Sequence, residues 1–500
     1  MRRTDINRRS LLKSIGAGGA VIGGGSISYA GSVLAERDER RSIVVGTSRV
    51  ESRIEDEGFE ILHSLADGEV LIVVAPEDKQ DDLDTTNGVQ HAVPNLSVEY
   101  DGLQMEADVA SESADTVEAD EFDEPIFWDQ QWDKRLMEVP EAHQTATGDG
   151  VRVAVIDTGI EPHPDLDPNL NEGLSVRFKN GVKITEGEPH DANPTGHGTQ
   201  IAGVIASSGF GTVGVAPHAE LVSINIYQDD LPVGYWTPAD LLVSLDYAQG
   251  IAADIINMSL LSTGLPPRGL GWGRTEFVGF RAALERLTNS ITRDGAVMAA
   301  SAGNFGERIQ TGGEWYFPGG MQGVLNVSST GPGDKLAYYS NYGSRWIDVA
   351  APGGMYETAE KTWCTEEELI LMCEDEDDDP VDPLSIEDID DCECTPAELP
   401  AFFNLVLTTS PAEPPPDSDA VWERTSGTSA AAPQVAGVAA LVKETNPDLN
   451  AQQIEPVIEQ SAEFVRGRGD DEFGAGRVNA AKAVAEAARY RNTGTRNGKK

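Results

Sequence analysis

The segment RTSGTSAAAPQVAGVAALVKE, residues 424–444, places an uncharged Gly-Thr-Ser triplet at the start of a helix that is almost entirely apolar. A helix without a polar face belongs in the core of a large domain. The segment therefore predicts a buried helix that begins near Ser429, among backbone N–H groups that have no intrahelical partner. Two interpretations follow. Ser429 is a nucleophile whose intermediate is an oxyanion, or one of Ser426, Thr428 and Ser429 simply caps the helix.

The composition describes a large acidic protein with a folded core. The chain has 500 residues, of which 39% are hydrophobic, and its 84 acidic and 37 basic residues give a formal net charge of −47. This charge disfavours binding to nucleic acid and to anionic membranes. The acidity extends through the regions that are predicted to fold. We therefore interpret it as adaptation to high salt, where the screening length falls to about 3 Å at 1 M; an ordinary acidic protein is the alternative.

The N-terminus has the features of an export signal. Arg8 and Arg9 precede Leu11, Leu12 and a short apolar run rich in glycine and alanine. Residues 1–35 resemble a twin-arginine signal peptide, which exports proteins that are already folded. The apolar run is too short and too glycine-rich for a convincing membrane span. We therefore expect a soluble extracellular protein without stable membrane insertion; an uncleaved anchor is the alternative.

Three regions follow the predicted signal. Residues 41–105 are predicted to form a small α/β unit, with strands in RSIVVGT and EVLIVVAPE and an amphipathic helix over residues 50–65 between them. Residues 106–124 are acidic, small and aperiodic, which indicates an exposed linker suited to cleavage. Residues 125–490 alternate apolar strands with helical stretches, which predicts one large α/β domain on a mostly parallel sheet.

An insert over residues 355–421 interrupts the large domain. It contains the acidic run CEDEDDDPVDPLSIEDIDDCEC and all four cysteines of the chain. In an exported protein these cysteines predict two disulfides of unknown connectivity. Zinc binding is the alternative, and it is disfavoured because the Cys-x-Cys spacing does not repeat as two paired knuckles. The cysteines are Cys364, Cys373, Cys392 and Cys394.

Two further polar residues complement Ser429. Asp157 ends the apolar strand VRVAVID, at the sheet edge where parallel strands present functional groups. His197 lies between two glycines at the start of another helix of small residues, in PTGHGTQIAGVIAS. Each position alone is ordinarily a turn or cap. Together they supply an orienting carboxylate, a general base and a nucleophile.

The ordered motifs of the large domain resemble those of the subtilisin-type serine proteases, the subtilases. The resemblance covers about residues 125–485 and implies a three-layer subtilisin-like fold, in which Asp157, His197 and Ser429 form the catalytic triad in the family's order. With the signal peptide and the acidic composition, it suggests a secreted haloarchaeal member similar to the halolysins. The motifs that carry it are VIDTGIEPHPDL, GHGTQIAGVIA, INMSL, ASAGNFG, YSNYG, IDVAAPGG and GTSAAAPQVAG.

The resemblance also implies how substrate is bound. Asn304 matches the family's side-chain donor to the oxyanion, which acts together with the backbone N–H of Ser429. The natural substrates are proteins and peptides, and main-chain pairing with an extended substrate tolerates many sequences. Backbone that pairs with substrate and lines its primary pocket matches Ser259, Leu260, Ser301, Ala302 and Gly303.

Several positions depart from the family pattern. Leu261 replaces a glycine beside the substrate cleft, Gln200 replaces a frequent histidine next to His197, and Tyr316 stands near the pocket floor where a small residue is common. The side-chain preference of the pocket is therefore open, and small or apolar side chains are our expectation.

The resemblance implies no required cofactor and at most a structural calcium ion. Asp165 matches an aspartate that helps bind calcium in many relatives. The loop SSGFGTVGVAP after the His197 helix is short and lacks the Asn-rich ligands that usually accompany it, so we expect the family's tight site to be incomplete. The acidic insert is a second candidate for loose calcium binding, although irregularly spaced carboxylates are more often solvated charge.

Three functional hypotheses remain at this level. The first is a secreted, broadly specific, salt-dependent endopeptidase, expected to be a monomer and to be inhibited by its own prosegment until that segment is removed. The second is a selective processing protease, suggested by the long insert. The third is a catalytically silent binding protein, which the presence of every triad and oxyanion residue disfavours.

Overall fold

The computed structural model describes the chain in segments. The predicted signal peptide, Leu261 and the four cysteines with their predicted disulfides lie outside them, as do most of the predicted linker and insert. The described residues are 41–47, 49–75, 79–95, 98–99, 112–113, 125–184, 196–227, 235–260, 262–264, 274–309, 315–355, 404–411 and 421–497.

An antiparallel sheet with one helix forms the N-terminal unit, residues 41–95. Its strands lie in the order β2-β3-β1-β4. Alternate side chains of the strands face opposite ways: Val44 packs towards the helix, whereas Ile43 and Val45 face the rest of the molecule. The elements are β1 (Arg41–Gly46), α1 (Val50–Asp56), β2 (Glu60–Leu65), β3 (Val70–Val74) and β4 (Val89–Pro94).

The prediction of a helix over the whole of residues 50–65 is wrong in its second half. Helix α1 ends at Asp56, and Gly58 follows at φ 85°, a conformation that a glycine adopts without a steric penalty. Strand β2 then pairs antiparallel with β3. The apolar spacing of this short stretch suits a helix as well as a strand, and the available sheet edge decided the outcome.

A mostly parallel sheet is the frame of the large domain, as predicted. Its strands lie in the order β17-β16-β14-β12-β7-β10-β8-β9, with β18 beside β16. The outermost pairs β16–β17 and β8–β9 are antiparallel, and the pairs between them are parallel. The strands are β7 (Arg152–Asp157), β8 (Val176–Lys179), β9 (Val182–Ile184), β10 (Glu220–Asn225), β12 (Ile255–Met258), β14 (Val297–Ser301), β16 (Val324–Gly331), β17 (Lys335–Leu336) and β18 (Val349–Pro352).

Helices cover both faces of this sheet and complete the three layers. Val153 and Val155 of β7 pack on one side against α4, α7, α8 and α10, whereas Ala154 and Ile156 pack on the other side against α5 and α6. The helices are α2 (Trp132–Leu136), α3 (Val139–His143), α4 (His197–Ala206), α5 (Pro238–Gly250), α6 (Arg274–Asp294), α7 (Thr428–Thr445), α8 (Ala451–Ser461), α9 (Asp470–Phe473) and α10 (Ala480–Asn497).

Three small sheets lie outside the main one. Part of the predicted linker and part of the predicted insert meet in one of them, because β20 pairs antiparallel with both β19 and β6. The other two join β5 to β11 and β13 to β15, also antiparallel. Their strands are β5 (Val98–Glu99), β6 (Glu112–Ser113), β11 (Tyr235–Trp236), β13 (Ser262–Gly264), β15 (Trp315–Phe317), β19 (Val406–Ser410) and β20 (Val421–Thr425).

The sheet of the N-terminal unit packs on α5 and α6 with the face that is turned away from α1. Ile43, Val45 and Val93 share an apolar core with residues of both helices. A side chain in place of Gly279 on α6 would overlap Val93, so the glycine permits this close approach. Among the helices that the structure describes, none combines the length and the apolar composition needed to cross a membrane.

Candidate active site

Asp157 and His197 form a buried pair at the carboxyl edge of the parallel sheet. Asp157 is the last residue of β7, and its Oδ1 lies 2.7 Å from Nδ1 of His197, the first residue of α4. Both residues are fully buried. The same Oδ1 also accepts a hydrogen bond from the backbone N–H of Thr158 at 2.7 Å. The carboxylate therefore holds the imidazole through Nδ1, which directs Nε2 away from the pair.

The glycine after His197 is required by close packing. A Cβ atom at Gly198 would overlap the carbonyl oxygen of Gly159, in the turn after β7. The backbone N–H of Gly198 donates to Oγ1 of Thr158 at 2.8 Å. The first turn of α4 is thus drawn against the end of β7, which brings the histidine to the aspartate.

Ser429 is the second residue of the buried helix α7, as the sequence predicts. Residues 428–442 of this helix are all buried. The capping interpretation of the Gly-Thr-Ser triplet is wrong, because the N-cap is Gly427, which has no side chain with which to cap the helix. Gly427 has φ 155°, and a Cβ atom there would lie 2.6 Å from the Ser429 hydroxyl oxygen. Glycine therefore keeps the approach to this hydroxyl open.

Asn304 lies beside the nucleophile candidate with its amide oriented. Its Oδ1 accepts hydrogen bonds from the backbone N–H of Thr428 at 2.8 Å and from the Thr428 hydroxyl at 2.7 Å. Thr428 Oγ1 in turn accepts from the backbone N–H of Gly303 at 3.0 Å. Because Oδ1 is occupied, the Nδ2 donor of Asn304 is presented on the other side, about 3.4 Å from the Cβ position of Gly427.

The structure also brings the predicted substrate-binding residues together. Ser259 Oγ donates to the carbonyl of Ser429 at 2.8 Å, and Ser301 Oγ donates to the carbonyl of Leu260 at 3.0 Å. The backbone N–H of Ala302 donates to Val327, and that of Gly303 to Thr428. These two N–H groups are engaged within the protein and are not available to pair with a substrate, and the pocket-lining role of Ala302 and Gly303 stays a prediction.

Two of the departures from the family pattern have clear positions. Gln200 on α4 donates from Nε2 to the Glu423 carboxylate on β20, so it links the His197 helix to the strand that leads to Ser429. Tyr316 lies in β15, where its backbone pairs with Thr263 of β13.

The surroundings of Asp165 do not fit a calcium ion. Its Oδ1 accepts from the backbone N–H of Phe210 at 2.7 Å, and its Oδ2 accepts from those of Gly211 at 3.0 Å and Thr212 at 2.9 Å. Oδ2 also accepts from the indole N–H of Trp422 at 2.8 Å. Calcium requires several oxygen ligands, whereas the four shortest contacts are N–H donors, and the hydroxyls of Ser208 and Thr212 lie farther away, each at 3.4 Å. In the described part of the chain no group of three or more His, Cys, Asp or Glu residues could hold a metal ion; calcium in the acidic insert stays a prediction.

Thr428 is the residue of the site that sequence reasoning missed. It stands between Gly427 and Ser429, and a threonine at a helix start is ordinarily interpreted as a cap. Its hydroxyl instead donates to Asn304, which is 124 positions away in the chain. The only sequence signal was its place next to the nucleophile.

Comparison with known proteins shows the family of the chain. The model of the subtilase family matches residues 148–476. M-protease of Shouchella clausii is 28% identical over 396 residues, which cover 78% of this chain and 80% of the relative. Subtilisin BL of Lederbergia lenta is 28% identical over 356 residues, which cover 71% of this chain and 98% of the relative.

Solved structures agree as well. A protease of Pseudoalteromonas arctica is 30% identical with a TM-score of 0.52, and the match covers 73% of this chain and 99% of that one. The epidermin leader peptide processing serine protease of Staphylococcus aureus shares the fold at 18% identity, with a TM-score of 0.64 and coverage of 90% and 99%. The family match spans more than half of the chain and contains Asp157, His197, Asn304 and Ser429. The chain therefore belongs to the subtilase family and is a subtilisin-type serine protease.

Proposed function

We propose that this subtilase is a secreted endopeptidase that cleaves peptide bonds through an acyl-enzyme on Ser429. The observation that carries the proposal is the buried 2.7 Å contact between Asp157 and His197, at the sheet edge where α4 and α7 both begin. It supplies an oriented base, and Ser429 in the first turn of the buried helix α7 supplies the nucleophile.

The reaction proceeds in two steps. Ser429 Oγ attacks the carbonyl carbon of the scissile bond while its proton passes to Nε2 of His197. The oxyanion that forms accepts hydrogen bonds from Asn304 Nδ2 and from the Ser429 backbone N–H. The proton then passes from His197 to the leaving amine as the C–N bond breaks. Water, activated by His197, hydrolyses the acyl-enzyme and restores the serine, so the mechanism needs no cofactor.

The N-terminal unit acts in this proposal as the intramolecular inhibitor of the enzyme. Strand β5, which follows the unit, pairs antiparallel with β11, just before α5. Asn95 is fully buried, and its Oδ1 accepts a hydrogen bond from the backbone N–H of Ala239, in the first turn of α5, at 2.8 Å. At the edge of the interface Arg286 pairs with Glu69 at 3.2 Å. Asn95 and the short strand Val98–Glu99 are thus both held against the large domain.

Export and salt dependence complete the proposal. Residues 1–35 support export by the twin-arginine pathway, which requires that the folded protease be silent before it leaves the cell. The net charge of −47 supports activity in concentrated salt, and the enzyme would then be a haloarchaeal protease similar to the halolysins. The enzyme would act there as a monomer on proteins and peptides.

Two measurements on secreted protein test the proposal. A serine-directed sulfonyl or phosphonyl reagent should label Ser429, identified by peptide mass, and abolish activity. Casein should be degraded to many peptides. A few defined cuts would indicate a selective processing protease instead, and the absence of both labelling and cleavage would indicate a silent binding protein.

A further inference from the structure

The Asp165 carboxylate joins two parts of the chain that carry the catalytic residues. The loop of Phe210, Gly211 and Thr212, whose N–H groups it binds, follows α4, the helix that begins with His197. Trp422, whose indole N–H it binds, lies on β20, and that strand leads within a few residues to Ser429. One carboxylate thus connects the chain after the general base to the chain before the nucleophile.

The carboxylate makes several short hydrogen bonds with these donors. It is fully buried, and its two oxygens accept four N–H hydrogen bonds of 2.7–3.0 Å. A carboxylate offers about four acceptor positions, and hydrogen bonds to an ionised acceptor are roughly twice as strong as those between neutral groups. The hydroxyls of Ser208 and Thr212 lie farther away, each at 3.4 Å. The four short contacts present hydrogen atoms to the carboxylate, which does not suit a cation.

Aromatic and backbone contacts around Trp422 also connect β20 to the loop after α4. The Trp422 ring packs edge-on against Phe127 at 5.3 Å and against His163 at 5.1 Å between centroids. The backbone N–H of Phe127 donates to the carbonyl of Gly211 at 2.9 Å. This hydrogen bond attaches the first segment of the large domain to the loop. The loop, the strand and this first segment therefore meet at Asp165.

A second set of hydrogen bonds connects the β19–β20 hairpin to the His197 helix, closer to the catalytic residues. On β19, the partner of β20, Thr408 Oγ1 donates to the carbonyl of Gln200 and Thr409 Oγ1 to that of Thr199, each at 2.7 Å. Both acceptors lie in the first turn of α4. The hairpin of β19 and β20 is therefore bonded directly to the first turn of the His197 helix and, through Asp165, to the loop that follows this helix.

We propose that Asp165 is a positioning residue that sets the relation between the His197 helix and the Ser429 strand by direct hydrogen bonds, without a metal ion. This inference rests on the proposed triad. Loss of the carboxylate would let β20 and the loop after α4 shift independently. A displacement of about 1 Å at reacting groups can reduce turnover on the order of 10²-fold.

The test compares Asp165→Asn, Trp422→Phe and the wild type as full-length chains processed to the mature enzyme. Asp167→Asn is the matched control, since this exposed neighbour accepts one hydrogen bond, from His163. Turnover number, KM and the rate of Ser429 labelling are measured well below the melting temperature of each variant. We expect Asp165→Asn to lower turnover and labelling by roughly 10–100-fold with little change in KM. Trp422→Phe should show a smaller loss of the same kind, and Asp167→Asn should match the wild type.

Melting temperatures in excess EGTA and in millimolar calcium separate direct bonding from metal binding. The difference in melting temperature between wild type and Asp165→Asn should be the same in both buffers. A difference that disappears in EGTA would show that Asp165 holds calcium and would overturn the proposal. Wild-type turnover in a folded Asp165→Asn, or in Trp422→Phe if the first variant does not fold, would overturn the positioning role. Failure of the proposed function is distinguishable, because the wild type itself would then be inert.

Discussion

Oδ1 of Asn304 accepts two hydrogen bonds from Thr428, one from the backbone N–H at 2.8 Å and one from the hydroxyl at 2.7 Å. The amide of Asn304 is therefore oriented by the residue that precedes Ser429. Since the amide oxygen is occupied, the NH₂ group is the part of Asn304 that remains to serve the oxyanion.

Replacement of Asn304 by alanine should lower turnover far more than it changes KM. The donor acts on charge that develops only in the transition state, and the loss of one such donor typically reduces turnover ~10²–10³-fold. Steady-state kinetics on a peptide substrate, with the melting temperature as a control for folding, test this. Wild-type turnover in the folded variant would contradict the oxyanion assignment.

Thr428→Val should reduce turnover by about fivefold, because the hydroxyl that orients Asn304 is lost while the shape is kept, and one hydrogen bond is worth about 1 kcal/mol. Thr428→Ser retains the hydroxyl and is the matched control. We expect the serine variant to remain near the wild type. A loss in Thr428→Ser together with wild-type turnover in Thr428→Val would show that the methyl group, and not the hydroxyl, matters here.

Ser429→Ala should accumulate as a precursor that lacks only the signal peptide. The active chain should cut itself within roughly residues 101–125, in and beside the predicted linker, whereas a chain without its nucleophile cannot. Intact masses of both proteins, secreted from a strain without other extracellular proteases, decide the question. Identical shortened N-termini would mean that another enzyme performs the processing.

Stability should rise steeply with salt. The formal net charge of −47 produces self-repulsion in dilute buffer, which ions screen. The melting temperature should therefore be much higher in 3 M than in 0.2 M KCl, with sucrose at matched water activity as the control for exclusion from the surface. An unchanged melting temperature would contradict salt adaptation.

Stability should fall as the pH rises from about 4.5 to 7. Burial raises the pKa of Asp348 from 3.8 to about 7. Burial, together with the negative charges of Asp348 and Glu459, raises the pKa of Glu455 from 4.5 to about 7. Between the unfolded-state and folded-state pKa values, these two carboxyls keep protons in the folded state that they have released in the unfolded state. The stabilisation of the folded state that results, on the order of 1–3 kcal/mol, is lost as the pH rises through the folded-state pKa.

The variant Glu455→Gln tests that dependence. It should raise the melting temperature at pH 8, where three nearby carboxylates are otherwise charged together, and change it little at pH 5. Exposed Asp448→Asn is the control. A Glu455→Gln shift of the same size at both pH values would show that burial of this carboxyl does not govern the effect.

The sequence predicted the elements whose signal is local. The apolar run before Asp157 and the Gly-Thr-Ser start of α7 both lie where expected, since periodicity and helix-end chemistry are written in neighbouring residues. Residues 60–65 show the limit of this reasoning. Their pattern suited a helix, and the free edge of β3, which only the tertiary structure supplies, made them a strand.

The sequence by itself determined the α/β domain, the family motifs, and the candidates Asp157, His197, Asn304 and Ser429. Only the tertiary structure decided that Thr428 orients Asn304, and that four N–H donors lie within 3.0 Å of the Asp165 carboxylate. The physical reason is distance along the chain. The Asp165–Trp422 hydrogen bond joins residues 257 positions apart, and such a partner follows from how whole elements pack, not from the pattern around either residue.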